Sequence, residues 1–381
     1  MRYASDLIFI IALLLKIISN QTILIDYVVL SGNYYTFFKI GKPEDSCLFK
    51  IDLIQNKTWV TPEGYKPTLS RTKEIEFSDK FSLFSNSKIF IGERRNDLFL
   101  LELPNIVIDK FPFYYIKTID LPRGGLGLGY KFENTSLSIV HTLKEQGYIK
   151  SLSFGFYKLF GSERYLFFGD VYQNKTQDQY KAEIVVDNNS EYWGGQLEQI
   201  EINDEITVIN EPFKLQSSHQ VLYVPFRIFN HIVSKYFTNY IDQHICEKVD
   251  SYNITGIVCD RKQFEENPFE LNITFYIQGI KYTLTTIDLL ENFGVDTHLK
   301  IKHSLQFYDE WVLGNLFFRK YLTVFSYDNH TVTFYYPKPF ISYSNKTSSV
   351  IPKIYLYITI IDILMIISLL YNKYAINTKQ K

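Results

Sequence analysis

The sequence predicts an all-β protein with a few short helices and one C-terminal transmembrane helix, and three observations carry that prediction. From Tyr34 onward, short runs rich in Tyr, Phe, Ile and Val are interrupted by Gly, Pro or Asn, the pattern of antiparallel strands joined by turns. Apolar residues recur at helical spacing at Leu137 to Tyr148 and again after Pro225. Near the C-terminus, Ile354 to Tyr371 is an apolar run just long enough to cross a bilayer, bounded by Lys353 and Lys373.

Composition limits the function classes. A chain of 381 residues with 46% apolar and 21% charged residues is globular and can bury one large or two ordinary domains. A net charge of −1, with lysines spread along the chain, leaves no basic face, so nucleic-acid binding has no electrostatic footprint. The histidines lack metal-ligand spacing such as HExxH, and nothing in the sequence asks for a metal or cofactor.

The ends set the expected topology. Arg2, the apolar run Leu7 to Leu15 and the polar Ser19-Asn20-Gln21 read as a signal peptide over residues 1–20. A juxtamembrane stalk is expected over 339–353, the membrane helix over 354–371 and a cytosolic tail over 372–381, whose lysines and lack of acids fit the cytosolic side. Asp362, mid-span, reads as a single tolerated polar residue. The expected location is the secretory pathway, as a single-pass type I protein of the cell surface or an endolysosomal membrane. Asn-x-Ser/Thr sequons at Asn56, Asn134, Asn174, Asn188, Asn253, Asn272, Asn329 and Asn345 are consistent with that route and with a glycoprotein.

In chain order, strands are expected at Tyr35 to Ile40, Leu48 to Leu53, Lys88 to Ile91 and Phe99 to Leu101. Gly124 to Gly129, GGLGLG, lacks the GxGxxG spacing and opens no helix, so it is not a dinucleotide loop. Leu137 to Tyr148 is expected to be a helix stopped by Gly147. Strands follow at Tyr165 to Gly169 and around Trp193, from Tyr192 to Ile202. Pro225 opens a second helix with Phe229, Ile232, Val233, Tyr236 and Phe237 on its apolar face. Asn272 to Thr285 is a hairpin turning at Gln278-Gly279.

Several stretches together resemble one family. Ile40-Gly41, Pro43, Asp52 and Trp59-Val60 fall at the spacing of the N-lobe signature of pepsin-like aspartic proteases. Gln216 to Pro225, QSSHQVLYVP, resembles the C-lobe signature, and Trp311 to Phe325, WVLGNLFFRKYLTVF, resembles its later Trp-Ile-Leu-Gly-Asp motif, with Asn315 in place of the aspartate. The glycine run resembles the family's Gly-Ile-Leu-Gly-Leu-Gly strand. Ser85 to Asp97 matches the flap hairpin by its Gly92 and Asp97 spacing.

The resemblance implies a bilobal β-fold, with an N-terminal lobe over 34–190 and a C-terminal lobe over 191–338. Between the residue-20 boundary and Tyr34 it leaves no room for the family's propeptide. Asp52 takes the place of the first catalytic aspartate and Gln216 that of the second. Ser85 stands where the flap tyrosine would be, with Phe84 beside it, and Ser217 keeps the hydroxyl that reaches across between lobes; both are candidate binding residues. Leu53, Ile54, Ser218 and His219 replace the small residues and glycines that flank the two acids. Cys246 and Cys259 are implied as a disulfide, leaving Cys47 a buried free thiol.

The chemistry of that family needs two carboxylates sharing one proton, one acting as base toward water while the other supports the carbonyl. An amide neither ionises nor takes a proton from water. The expected function is therefore a family member without activity, retained to bind a peptide or protein in the interlobe cleft. The alternative is an active aspartic endopeptidase with an atypical site. Asp52 is expected to anchor its loop by hydrogen bonds, and His219 to be packing rather than a substitute base.

Overall fold

Alternation decides which face of each strand is buried. In Asn33–Ile40, Tyr34, Thr36, Phe38 and Ile40 point inward while Phe37 points out, the period-2 pattern of a half-buried strand. The structure, a computed structural model, describes residues 22–30, 33–71, 73–85, 88–101, 106–118, 120–130, 138–158, 164–170, 181–187, 189–251, 253–266, 268–305 and 309–335.

The first half contains strands β1 (Thr22–Leu30), β2 (Asn33–Ile40), β3 (Asp45–Asp52), β4 (Trp59–Val60), β5 (Glu74–Ser85), β6 (Lys88–Leu101), β7 (Ile106–Ile116), β8 (Gly124–Gly127), β9 (Ser153–Lys158), β10 (Arg164–Gly169) and β11 (Lys181–Val185). The second half contributes β12 (Gly194–Ile202), β13 (Glu205–Leu215), β14 (Leu222–Tyr223), β15 (Cys246–Ser251), β16 (Ile254–Asp260), β17 (Ile273–Ile277) and β18 (Ile280–Leu284). It ends with β19 (Leu290–Phe293), β20 (Asp296–Leu299), β21 (Ile301–Ser304), β22 (Trp311–Leu313), β23 (Leu322–Ser326) and β24 (Thr331–Tyr335).

The two halves repeat one topology. In the first, the order β2-β3-β8-β4-β7-β6 has β3 parallel to β8, β8 antiparallel to β4 and β4 parallel to β7. In the second, β12-β13-β22-β14-β21-β16 repeats the same senses pair by pair. Asp52 ends β3 and Gln216 follows β13, so the two expected site residues occupy equivalent places in the repeat.

The last two strands cross over. β23 pairs with β9 and β24 with β11, so the sheet of the first half is completed by the end of the chain, in the order β11-β24-β23-β9-β10-β1-β2. Trp193, fully buried, sits among Tyr130, Phe154, Phe325 and Tyr327 and donates its indole N–H to Leu128 O at 2.8 Å. Burying a large aromatic is worth about 1.5–3 kcal/mol, so this cluster binds the two halves firmly.

The helices fall where their spacing predicts, the first shorter than expected and the second running further. Ile139–Glu145 is capped by Ser138, whose hydroxyl accepts from Val140 N at 3.3 Å, and Gly147 at φ +76° ends it. Phe226–Ile232 continues through a π turn, Val233–Phe237, into Thr238–Asp242, burying Phe229, Ile232 and Phe237. The hairpin of β17 and β18 turns at Gln278 and Gly279, both at positive φ. Cys246 and Cys259 are cross-strand partners in β15 and β16 and form a disulfide. Cys47 is a buried free thiol, with its pKa pushed up to about 12 by burial.

Three readings differ from expectation. The first described strand, β1, lies ahead of the expected lobe start at residue 34; its inward Ile23, Ile25 and Tyr27 alternate with exposed Leu24, Asp26 and Val28. The separate strands expected at Lys88 and Phe99 are one strand, β6, which pairs with β7 across an irregularity between Asp97 and Phe99. β3 begins at Asp45 rather than Leu48. The expected signal peptide, stalk, membrane helix and tail lie outside the described residues, and among the described residues no helix is long and apolar enough to cross a membrane.

Candidate functional site

The first loop is held on a strand of glycines. Leu128 N–H donates to Asp52 O at 2.8 Å, Gly129 N–H to Gln55 O at 2.8 Å, and Gly127 N–H to Thr58 Oγ1 at 3.3 Å. A Cβ on Gly127 would lie 2.5 Å from the backbone of Lys57, so the loop can settle this closely only against glycine. The second loop lies on Gly314 in the same way, where a Cβ would meet His219 O at 2.4 Å.

Asp52 anchors its own turn. Its Oδ1 accepts from Ile54 N at 2.8 Å and from Gln55 N at 3.1 Å, closing the chain back on the end of β3. Ile54, where glycine was anticipated, does not adopt a positive φ, so its β-branch costs no backbone strain. Leu53 is 1% exposed and packs in the core.

One side chain joins the two loops. Ser217 Oγ donates to Ile51 O at 2.7 Å and accepts from Leu53 N–H at 3.3 Å, so it grips the residues on either side of Asp52. It follows that position 216, next to the bridging serine, is set on the side of position 52. The reciprocal bridge has no donor, since Leu53 carries no hydroxyl.

Gln216 occupies that position, 3% exposed, with its backbone N–H donating to Leu313 O at 3.2 Å. Its Oε1 is buried without a hydrogen-bond partner among the described residues, and no hydrogen bond joins its carboxamide to Asp52. The pair thus consists of one carboxylate, half exposed and holding a turn, and one neutral amide.

His219 is packed. Its ring meets Tyr223 edge-on at 5.0 Å, and its pKa is lowered to about 4 by burial first and by the nearby charge of Lys50 second. It is neutral over most of the acidic range. Asp97, which matches the flap hairpin by its spacing, is also structural: it is buried and accepts from Tyr65 OH and from Leu98 N.

Ser85 is the last residue of β5, opposite Lys88 at the tip of the β5–β6 hairpin; its side chain lies outside the described residues. Besides the pairing of β6 with β7, a side chain that sequence reasoning did not single out holds the hairpin to the body. Phe90 packs on a small cluster of Trp59, Tyr114, Ile116 and Leu121, separate from the main core. Its signal was available, since Ile89 and Ile91 on either side are exposed and alternation turns Phe90 inward. Trp59 Nε1 in that cluster is buried without a hydrogen-bond partner among the described residues.

No three metal-ligating side chains converge among the described residues. A family model described as eukaryotic aspartyl protease matches residues 101–335, more than half of the chain. The match includes Gln216 and Ser217 and leaves Asp52 outside. No curated protein matches the chain.

Proposed function

The chain belongs to the eukaryotic aspartyl protease family, and on that premise we propose that it is a membrane-anchored member without proteolytic activity, retained to bind a peptide or protein between its two halves. The observation that carries this reading is Gln216. Ser217 grips both neighbours of Asp52, which supports reading the adjacent amide as standing in for the second carboxylate that water activation requires. Loss of a general base alone costs about two to four powers of ten in rate. His219, held neutral until about pH 4 and packed on Tyr223, is a poor replacement.

The test is a peptide-library cleavage assay on the secreted ectodomain from acidic to neutral pH, with Gln216→Asp beside it. The expected outcome is no turnover by the native protein together with saturable binding of some peptides. Turnover sensitive to a statine inhibitor in the native protein would end this reading.

One feature favours the alternative, an active endopeptidase with an atypical site: both Asp52 and the Ser217 bridge are kept, so the loop geometry survives. Silence of the native protein in conditions where a control aspartic protease cleaves would exclude it.

A further inference from the structure

Away from Asp52 and Gln216, a cavity of about 560 Å³ opens on strands β12, β17 and β18. Alternation builds it. Ile273 is 1% exposed and points into the core, so Asn272 and Thr274 on either side lie on the opposite face of the sheet, Asn272 half-buried and Thr274 buried. The register sets Glu201, Thr274 and Thr283 in one row across the three strands, with the two threonine hydroxyls 2.8 Å apart.

Asn203 holds the backbone of Asn272 from both sides. Its N–H donates to Asn272 O at 3.0 Å, and its Oδ1 accepts from Asn272 N–H at 2.7 Å. The carboxamide of Asn203 is completed by donation to Glu270 O at 2.7 Å. The carboxamide of Asn272 itself makes no hydrogen bond among the described residues and lines the cavity.

Every lining side chain is polar, which disfavours an apolar ligand. The carboxylate of Glu201 already accepts from Tyr276 OH and lies 3.5 Å from Lys281 Nζ, so it is not free to serve a cation. The lining also carries Asp204, Glu270 and Lys281, but no three metal-ligating side chains converge there among the described residues. Hydroxyls, amides and charged groups of both signs suit a ligand that both donates and accepts along its whole surface, and Asn272-Ile273-Thr274 is an acceptor triplet for such a group.

We propose that Asn272 carries an N-linked glycan and that this cavity seats its first sugars. The bond forms between Asn272 Nδ2 and the anomeric carbon of a glycosyl diphosphate donor; the carbon–oxygen bond to the diphosphate breaks, the diphosphate leaves with the electron pair, and the amide gives up one proton. The proposal rests on the secretory route included in the function proposed above. It separates Asn272, which lines this cavity, from Asn253 and Asn329, which stand on exposed turns.

The experiment produces the full chain in a eukaryotic secretory host, maps glycopeptides, and follows release of each glycan by a peptide amidase before and after denaturation. The expected result is an occupied Asn272 whose glycan leaves the native protein about tenfold more slowly than the denatured one, the factor given by one or two net hydrogen bonds. Thr283→Val, nearly isosteric and lacking the hydroxyl, should shrink that ratio. A bare Asn272 beside a modified Asn253 or Asn329, or equal release from native and denatured protein, overturns the seat and leaves the secretory route standing. A protein with no modified sequon overturns both.

Discussion

Ser217 satisfies one backbone oxygen and one backbone N–H on the facing loop, and all three groups are buried at the junction of the two halves. Ser217→Ala should therefore destabilise the protein by about 1–3 kcal/mol, the cost of leaving buried partners unmade, as read from denaturant melts. Gln216→Asp places a second carboxylate in a site that is 3% exposed and on the side of Asp52. Burial and the like charge both raise the pKa of the new acid above its unfolded value near 3.9. The folded state then pays for ionising it at neutral pH, a loss of about 1–4 kcal/mol that should disappear as pH falls below the raised value. A Gln216→Asp protein no less stable than the native one at pH 7 would contradict that account of the site. His219 titrates in the opposite sense. Its ordinary value is near 6.5, so as pH falls the unfolded chain takes up a proton while the folded chain keeps His219 neutral until about pH 4. Stability should decline across that window, and His219→Gln should flatten that part of a melting-temperature profile. Motif spacing alone singled out Asp52, Gln216 and Ser217 as candidates, and the structure brings Ser217 onto the two neighbours of Asp52. Spacing could not reveal that Ser217 reaches both neighbours of Asp52, or that Ile54 avoids a positive φ, since those follow from how the two loops dock.

At the scale of elements, the glycine strand β8 sets how closely the first loop can lie. Gly127→Ala puts a methyl 2.5 Å from the Lys57 backbone, where neither strand nor loop has a flexible side chain to move. Overpacking of this kind costs about 1–3 kcal/mol, measurable by thermal melt, and should displace Asp52 with its loop. The β15–β16 hairpin is closed by Cys246–Cys259, thirteen residues apart in sequence. Reduction should lower stability by about 3 kcal/mol, the loop-closure term for a ring of that size, provided the rest of the fold is unchanged in reducing buffer. Elements with a strong local signal were legible: the hairpin at Gln278-Gly279, the helix stopped at Gly147, the helix after Pro225. β1 was not, although Ile23, Ile25 and Tyr27 alternate cleanly, because its neighbour in sequence reads as a leader and the strand's partners, β10 and β2, come later in the chain. The fused strand β6 was missed because its middle, Glu93 to Asp97, is charged; those residues are held by cross-strand pairing with β7 and by Tyr115 under the Arg95 guanidinium at 4.7 Å.

At the scale of the whole molecule, the duplicated topology sets Asp52 and Gln216 at equivalent points, and the fold does not need an acid at both. The β13-β22-β14-β21 arrangement is held by ladder pairing and by buried Trp311, whose indole N–H donates to Glu211 at 2.7 Å, and none of this depends on what stands at position 216. The sheet that β23 and β24 complete has a different consequence, for biosynthesis. Strand β9 has β23 on its free side and β11 has only β24, so the amino-terminal portion carries raw edges until residue 335 has left the ribosome. That portion cannot be sealed before β23 and β24 have been made, and a nascent chain stalled near residue 300 should stay protease-sensitive and need chaperone cover.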